Sequence, residues 1–154
     1  MSTLAFTGIE KQYTNTRNKF DYGFKAGAIV RTDYHKNEIF LNEIYAKARY
    51  AVFNIMAGSR EQIFGNQDST LSSGGLLFSK NARPMPEISA GIENFTPVPL
   101  TFGFLELKGS MRQGWFTDNI YTRGIMLHHK FGYVRLGGKL PVHVQYGLEH
   151  VAQW

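Results

Sequence analysis

The stretch from Lys19 to Thr32 alternates in hydropathy with a period of two. Phe20, Tyr22, Phe24, Ala26, Ala28 and Val30 fall on one side and Asp21, Gly23, Lys25, Gly27 and Arg31 on the other, with Ile29 as the one break. Side chains of an extended chain point alternately to opposite faces, so the run predicts a strand and excludes an amphipathic helix, whose period is 3.6. It is about twice the usual soluble strand and long enough to cross a bilayer at a tilt, for which about 9–11 residues suffice.

The same pattern recurs along the chain. Ile44, Ala46 and Ala48 oppose Glu43, Tyr45, Lys47 and Arg49 within the segment Phe40 to Arg49. After a tight reversal near Tyr50-Ala51, Phe53, Ile55 and Ala57 oppose Asn54, Met56, Gly58 and Arg60. Two long strands joined by almost nothing predict a hairpin. Gly65 to Gly75 is polar and rich in Gly and Ser and reads as a long loop. Pro84, Pro86, Pro97 and Pro99 then flank a short strand near Ile88 to Ile92, where proline marks strand ends or an edge. Leu105, Leu107, Gly109 and Met111 lie opposite Glu106, Lys108, Ser110 and Arg112. A strand through Ile125 to Leu136 follows, and Val142, Val144, Tyr146 and Leu148 close the series opposite His143, Gln145, Gly147 and Glu149. Connections alternate between short (near Tyr50-Ala51 and at 137–139) and long (65–75 and 113–120), the asymmetry of outer-membrane barrels. The expected fold class is all-β, an antiparallel meander of about eight strands forming part of a large outer-membrane β-barrel.

Alternation alone does not say which face meets which medium, because a soluble sandwich and a membrane barrel share it. Strand length and the Lys, Arg and Glu of the second face favour the barrel. Tyr22, Tyr34, Tyr50, Trp115, Tyr121, Tyr133 and Trp154, near strand ends, are expected to form interfacial girdles. With 22 Phe, Tyr and Trp and 16 Gly, the composition suits strands better than a helical bundle. The 43% hydrophobic content argues against disorder.

The net charge of +5 is scattered, with no basic arm or patch, so no nucleic-acid partner is expected. No run approaches the roughly 20 apolar residues of a transmembrane helix, and Met1 to Phe6 lacks the plan of a signal peptide. The absence of Cys excludes disulfides, thiolate zinc sites and a Cys nucleophile. No GxSxG elbow, HExxH helix, glycine phosphate loop or EF-hand loop occurs, so the chain is expected not to be an enzyme. His128 and His129 are adjacent in a strand and point to opposite faces, and His143 and His150 are likewise expected on opposite faces. No metal site and no cofactor are therefore expected. Aromatic rings beside Arg, Asn and Gln suit carbohydrate instead, since sugar C–H faces stack on rings and hydroxyls take planar polar partners. Arg112-Gln113-Gly114-Trp115-Phe116-Thr117-Asp118-Asn119 gathers that mix in one expected loop.

An ordered set of segments carries a resemblance. Ser79 to Gly91 (SKNARPMPEISAG), Thr96-Pro97-Val98-Pro99, Gly103 to Gly109 (GFLELKG) and Gln113-Gly114-Trp115-Phe116 are followed by Leu127-His128-His129-Lys130 and the closing Tyr146 to Trp154 (YGLEHVAQW). Together they resemble the capsule assembly Wzi family of bacterial outer-membrane proteins, most closely in its Bacteroidetes forms, from about Phe20 to the C-terminus. The resemblance implies a barrel of about eighteen strands in the cell outer membrane. It also implies a lectin-like role, binding capsular polysaccharide at the cell surface and assisting capsule assembly and attachment. Outer-membrane lipid is the second implied partner, and the full-length parent is expected to be a monomeric barrel. Residues 1–154 would then be a single partial β-barrel domain, a fragment of a larger barrel. The polysaccharide-binding candidates in the matching segments are Arg83, Glu106, Arg112, Trp115, His129 and Glu149. A porin-like channel with Asp21, Lys25, Arg31, Lys47 and Arg60 setting lumen selectivity is the alternative. An outer-membrane hydrolase with a Ser and a His meeting across strands comes third.

Overall fold

A computed structural model describes residues 3–14, 19–33, 36–61, 84–117 and 124–154. The chain forms eight strands: β1 (Thr3–Lys11), β2 (Phe20–Asp33), β3 (Lys36–Tyr50), β4 (Phe53–Ser59), β5 (Pro86–Pro97), β6 (Leu105–Trp115), β7 (Met126–Leu136) and β8 (Val144–Gln153). Each pairs antiparallel with the next, giving one open eight-stranded meander in sequence order, with β1 and β8 at its edges. No helix occurs among the described residues.

The predicted hairpin is present: β3 and β4 turn through Ala51 and Val52, with Tyr50 opposite Phe53. Ala51 takes the left-handed conformation such a turn requires, at φ 54°. The alternation of β2 continues into β3 through a bulge. Gly27 faces Glu43 whereas Ala28 faces Leu41, so Asn42 is the extra residue. That single insertion changes the parity of β3 and keeps Ile39 and Leu41 on the same side as Ile44, Ala46 and Ala48.

Three expectations change in extent. β5 runs from Pro86 to Pro97 rather than from Ile88 to Ile92, with its two prolines at its ends and an irregular register between Ile92 and Thr96. Arg112-Gln113-Gly114-Trp115 is the end of β6 and not a loop. β8 begins at Val144, so His143 precedes the strand, where its Nε2 lies 3.0 Å from the carbonyl of Gly138. β1, which carries no clean alternation, adds a strand before Phe20. The breaks between β2 and β3, β4 and β5, and β6 and β7 fall at one end of the sheet, and those between β1 and β2, β3 and β4, β5 and β6, and β7 and β8 at the other. The loop expected at 65–75 lies outside the described residues.

Register assigns every paired residue to a face, since directly opposed residues point the same way. Among the described residues the buried strand side chains all lie on one face, called inner here: Asp21, Glu43, Tyr45, Met56, Glu87, Ser89, Ser110, Arg112, Leu127, His129 and Phe131. The outer face is apolar and open. Phe20, Phe24, Ile39, Ile44, Phe53, Ile55, Ile88, Met111, Val144, Tyr146 and Leu148 are all exposed on it, Ile39 and Leu41 at 74% each. At the start of β1 the division lapses. Leu4 and Phe6 share the inner side with Ile29 and Phe40, which also accounts for Ile29 as the break in the β2 pattern.

Candidate functional site

The inner face carries a ladder of ion pairs from strand to strand. Lys25 of β2 pairs with Glu43 of β3, and Arg49 of β3 reaches Asp21 of β2 at 3.7 Å. Arg60 lies 4.0 Å from Glu93, Arg112 of β6 lies 3.6 Å from Glu87 of β5, and Arg135 of β7 pairs with Glu106 of β6. Glu10, Asp21, Glu43, Glu87, Glu106 and Glu149 all sit on this face. Cross-strand pairs of opposite sign are what two facing ladders of charge settle into, because like charges directly opposed are destabilising.

The ladder opens into two regions. The first is a cleft of about 580 Å³ over β1–β5, walled by Glu10, Lys25, Glu43, Lys47, Arg49, Arg60 and Glu93 with Tyr13, Tyr45 and Asn54. Lys47 Nζ lies 4.5 Å from the centre of the Tyr13 ring, and the Arg49 guanidinium 4.9 Å from it. The Tyr13 hydroxyl donates to Asn54 Oδ1 at 3.3 Å. Burial, reinforced by Glu93, raises the pKa of the phenol. The second region lies over β5–β8. Arg112 stands directly across from His129, which is 2% exposed and 5.6 Å from Phe131, ring to ring. The Arg112 guanidinium is 5.9 Å from the Phe131 ring, and Tyr133 donates to Glu149 Oε1 at 2.7 Å. Phe131 and Tyr133 continue the aromatic row at 5.5 Å.

The predicted binding residues divide accordingly. Arg112, His129 and Glu149 come together on the inner face of β6–β8. Glu106 shares that face six positions along β6, about 20 Å from Arg112, with its carboxylate engaged by Arg135. Trp115 points the opposite way, since Trp115 pairs with Met126 in the outward set. Arg83 lies outside the described residues. Of the channel residues, Lys25, Lys47 and Arg60 line the first cleft, Asp21 adjoins it through Arg49, and Arg31 stands apart beside Asp33 at 3.6 Å. Of the expected girdle, Tyr22, Tyr50 and Trp115 are outward, Trp154 follows β8 exposed, Tyr133 is inward, and Tyr34 and Tyr121 fall outside the described residues. Sequence reasoning did not choose Glu43, Tyr45 or Arg49 as site residues. Their signal was the polar half of the β3 alternation.

His128 points outward and His129 inward, as adjacency in a strand requires. Among the described residues no group of three or more His, Asp or Glu is placed to hold a metal ion. The fold and the face assignment define a single-sheet, all-β meander with a charged inner and an apolar outer side. No family model, no curated protein and no solved structure matches the chain.

Proposed function

We propose that the chain is one wall of an outer-membrane β-barrel of the capsule assembly Wzi type, binding capsular polysaccharide along its inner face. The observation that carries this reading is the inverted burial. A soluble antiparallel sheet packs its apolar face and wets its polar one. Here the ion-paired face is buried and the apolar face is open, which is the distribution of a barrel with lipid outside and a polar lumen within. Each large apolar side chain left in water forgoes about 1.5–3 kcal/mol of burial, so an outer face of this size calls for an apolar medium. Lipid supplies it.

The resemblance supplies the ligand class, and the inner face has the chemistry for it. Phe131 and Tyr133 offer ring faces for sugar C–H surfaces, while Arg112, Glu149 and the Tyr13–Asn54 pair offer donors and acceptors for hydroxyls. The role is lectin-like rather than catalytic. Capsular polysaccharides presented on a glycan array are the test. The refolded chain should retain a capsular glycan, and Glu149→Ala should weaken retention about tenfold, the value of one hydrogen bond to a charged group. Trp115→Ala, on the other face, should leave it unchanged. Loss through Trp115 and none through Glu149 would refute the inner-face site.

The cleft over β1–β5 favours a second reading, a porin-like channel, because three of the residues expected to set selectivity line it together. Steady conductance in a planar bilayer, altered in ion preference by Lys47→Glu, would support the channel over the lectin.

A further inference from the structure

We infer that Lys130 and His150, on the outer face of β7–β8, form a site for the phosphate of an anionic lipid headgroup. The inference rests on the barrel reading above. The outer face carries two charged residues within the strand registers, Lys11 and Lys130. Lys11 stands at the end of β1 and reaches back to Asp21 at 3.8 Å. Lys130 is exposed in mid-strand, and no ion pair engages it among the described residues. Directly opposite it in the register is His150, also exposed. Their Cβ atoms are therefore about 5 Å apart, a spacing at which an ammonium and an imidazole can share one phosphate.

The surroundings are built rather than incidental. His128 stands beside the pair, its ring stacked on Trp154 at 5.7 Å and edge-on to His150 at 6.3 Å. Its Nδ1 lies 3.4 Å from Gln113 Oε1, so the ring is held from both sides. Trp115 follows Gln113 outward along β6. Indole rings settle at the headgroup level, and a lysine beside them extends its ammonium to the same level.

Depth agrees with this placement. One hydrogen-bonded row runs Tyr22, Ala48, Ile55, Ala90, Met111, Lys130 and His150. It is apolar as far as β6 and polar beyond. Strands in such barrels are spaced about 4.8 Å apart and tilt by about 40°, so a row climbs about 15 Å over five strand steps, more than half of an apolar band about 25 Å tall. A row centred on the band puts Tyr22 and Lys130 each about 5 Å inside opposite boundaries, a depth from which a lysine stem reaches the headgroups. The apolar surface of β6–β8 is displaced the opposite way, past Leu136 and Val144 to the exposed Leu100, Phe102, Leu140 and Val142 of the adjoining turns.

The test is native mass spectrometry of the full chain refolded into vesicles of equimolar phosphatidylcholine and phosphatidic acid, with insertion checked by protease protection. The chain should retain phosphatidic acid preferentially. Lys130→Gln should cut that preference about fivefold, the effect of one cation near a lipid surface, and His150→Gln should cut it further. Lys108→Gln, on the inner face of the neighbouring strand, should not change it. Inorganic phosphate should fail to displace the lipid. A chain that inserts but retains both lipids equally, or loses phosphatidic acid to inorganic phosphate, overturns the headgroup site alone. Failure to insert overturns the barrel reading and this site with it.

Discussion

The two faces of β6 and β7 carry the same kinds of residue under opposite rules. On the inner side Arg112 is 7% exposed, crossed by Glu87, faced by His129 and stacked near Phe131. On the outer side Lys130 and His128, in the same strand as His129, stand among exposed apolar residues with Trp154 and Gln113 for neighbours. A buried cation needs an anion fixed in the protein, and here the next strand supplies a carboxylate. On the headgroup reading, a cation at the rim of an apolar face takes its anion from outside. The difference shows that charge in this chain is sorted by face, strand by strand, through register alone.

The strongest way to break the comparison is to remove the fixed anion. Glu87→Ala takes away the carboxylate 3.6 Å from Arg112 and should destabilise the protein by about 3–5 kcal/mol, read by urea denaturation in vesicles. A loss below about 1 kcal/mol would place Arg112 in bulk water. Next comes a charge set on the apolar side. Ile55→Arg should cost about 2–4 kcal/mol in a bilayer, whereas its inward neighbour Asn54→Ala, losing the bonds to the Tyr13 hydroxyl and the Val52 carbonyl, should cost about 1–2 kcal/mol. Equal tolerance of both would mean that the outer face is wet. The smallest effect is expected at Glu106→Ala, whose partner Arg135 is partly exposed at the end of the ladder, with a shift in the urea midpoint smaller than that of Asn54→Ala.

How much of this was legible in the sequence follows from the physics of each element. β2, β3 and β4 were readable because one face is apolar and the other charged, so period two shows directly. β1 was not, because Leu4 and Phe6 on one side and Ala5 and Ile9 on the other leave no contrast. β5 extends past Ile92 through an irregular register that no periodicity could reveal. The end of β6 looked like a loop because Gln113, Gly114 and Trp115 mix polarity, and only the pairing with Met126 to His128 makes it strand. The Arg112–His129 contact spans two strands and depends on register, as does the opposition of Lys130 to His150. The candidate residues were legible singly, and their division between faces followed from parity once the strands were placed.

The central claim is that the outer face lies in lipid and the inner face does not. The chain has no Cys, so single cysteines can carry a fluorescent probe without competition. Probes at Ala46→Cys and Ala90→Cys, both outward, should be quenched by lipids brominated in their acyl chains, and probes at Ser89→Cys and Ser110→Cys, both inward, should not. Equal quenching at all four positions, or quenching confined to the inward pair, would contradict it.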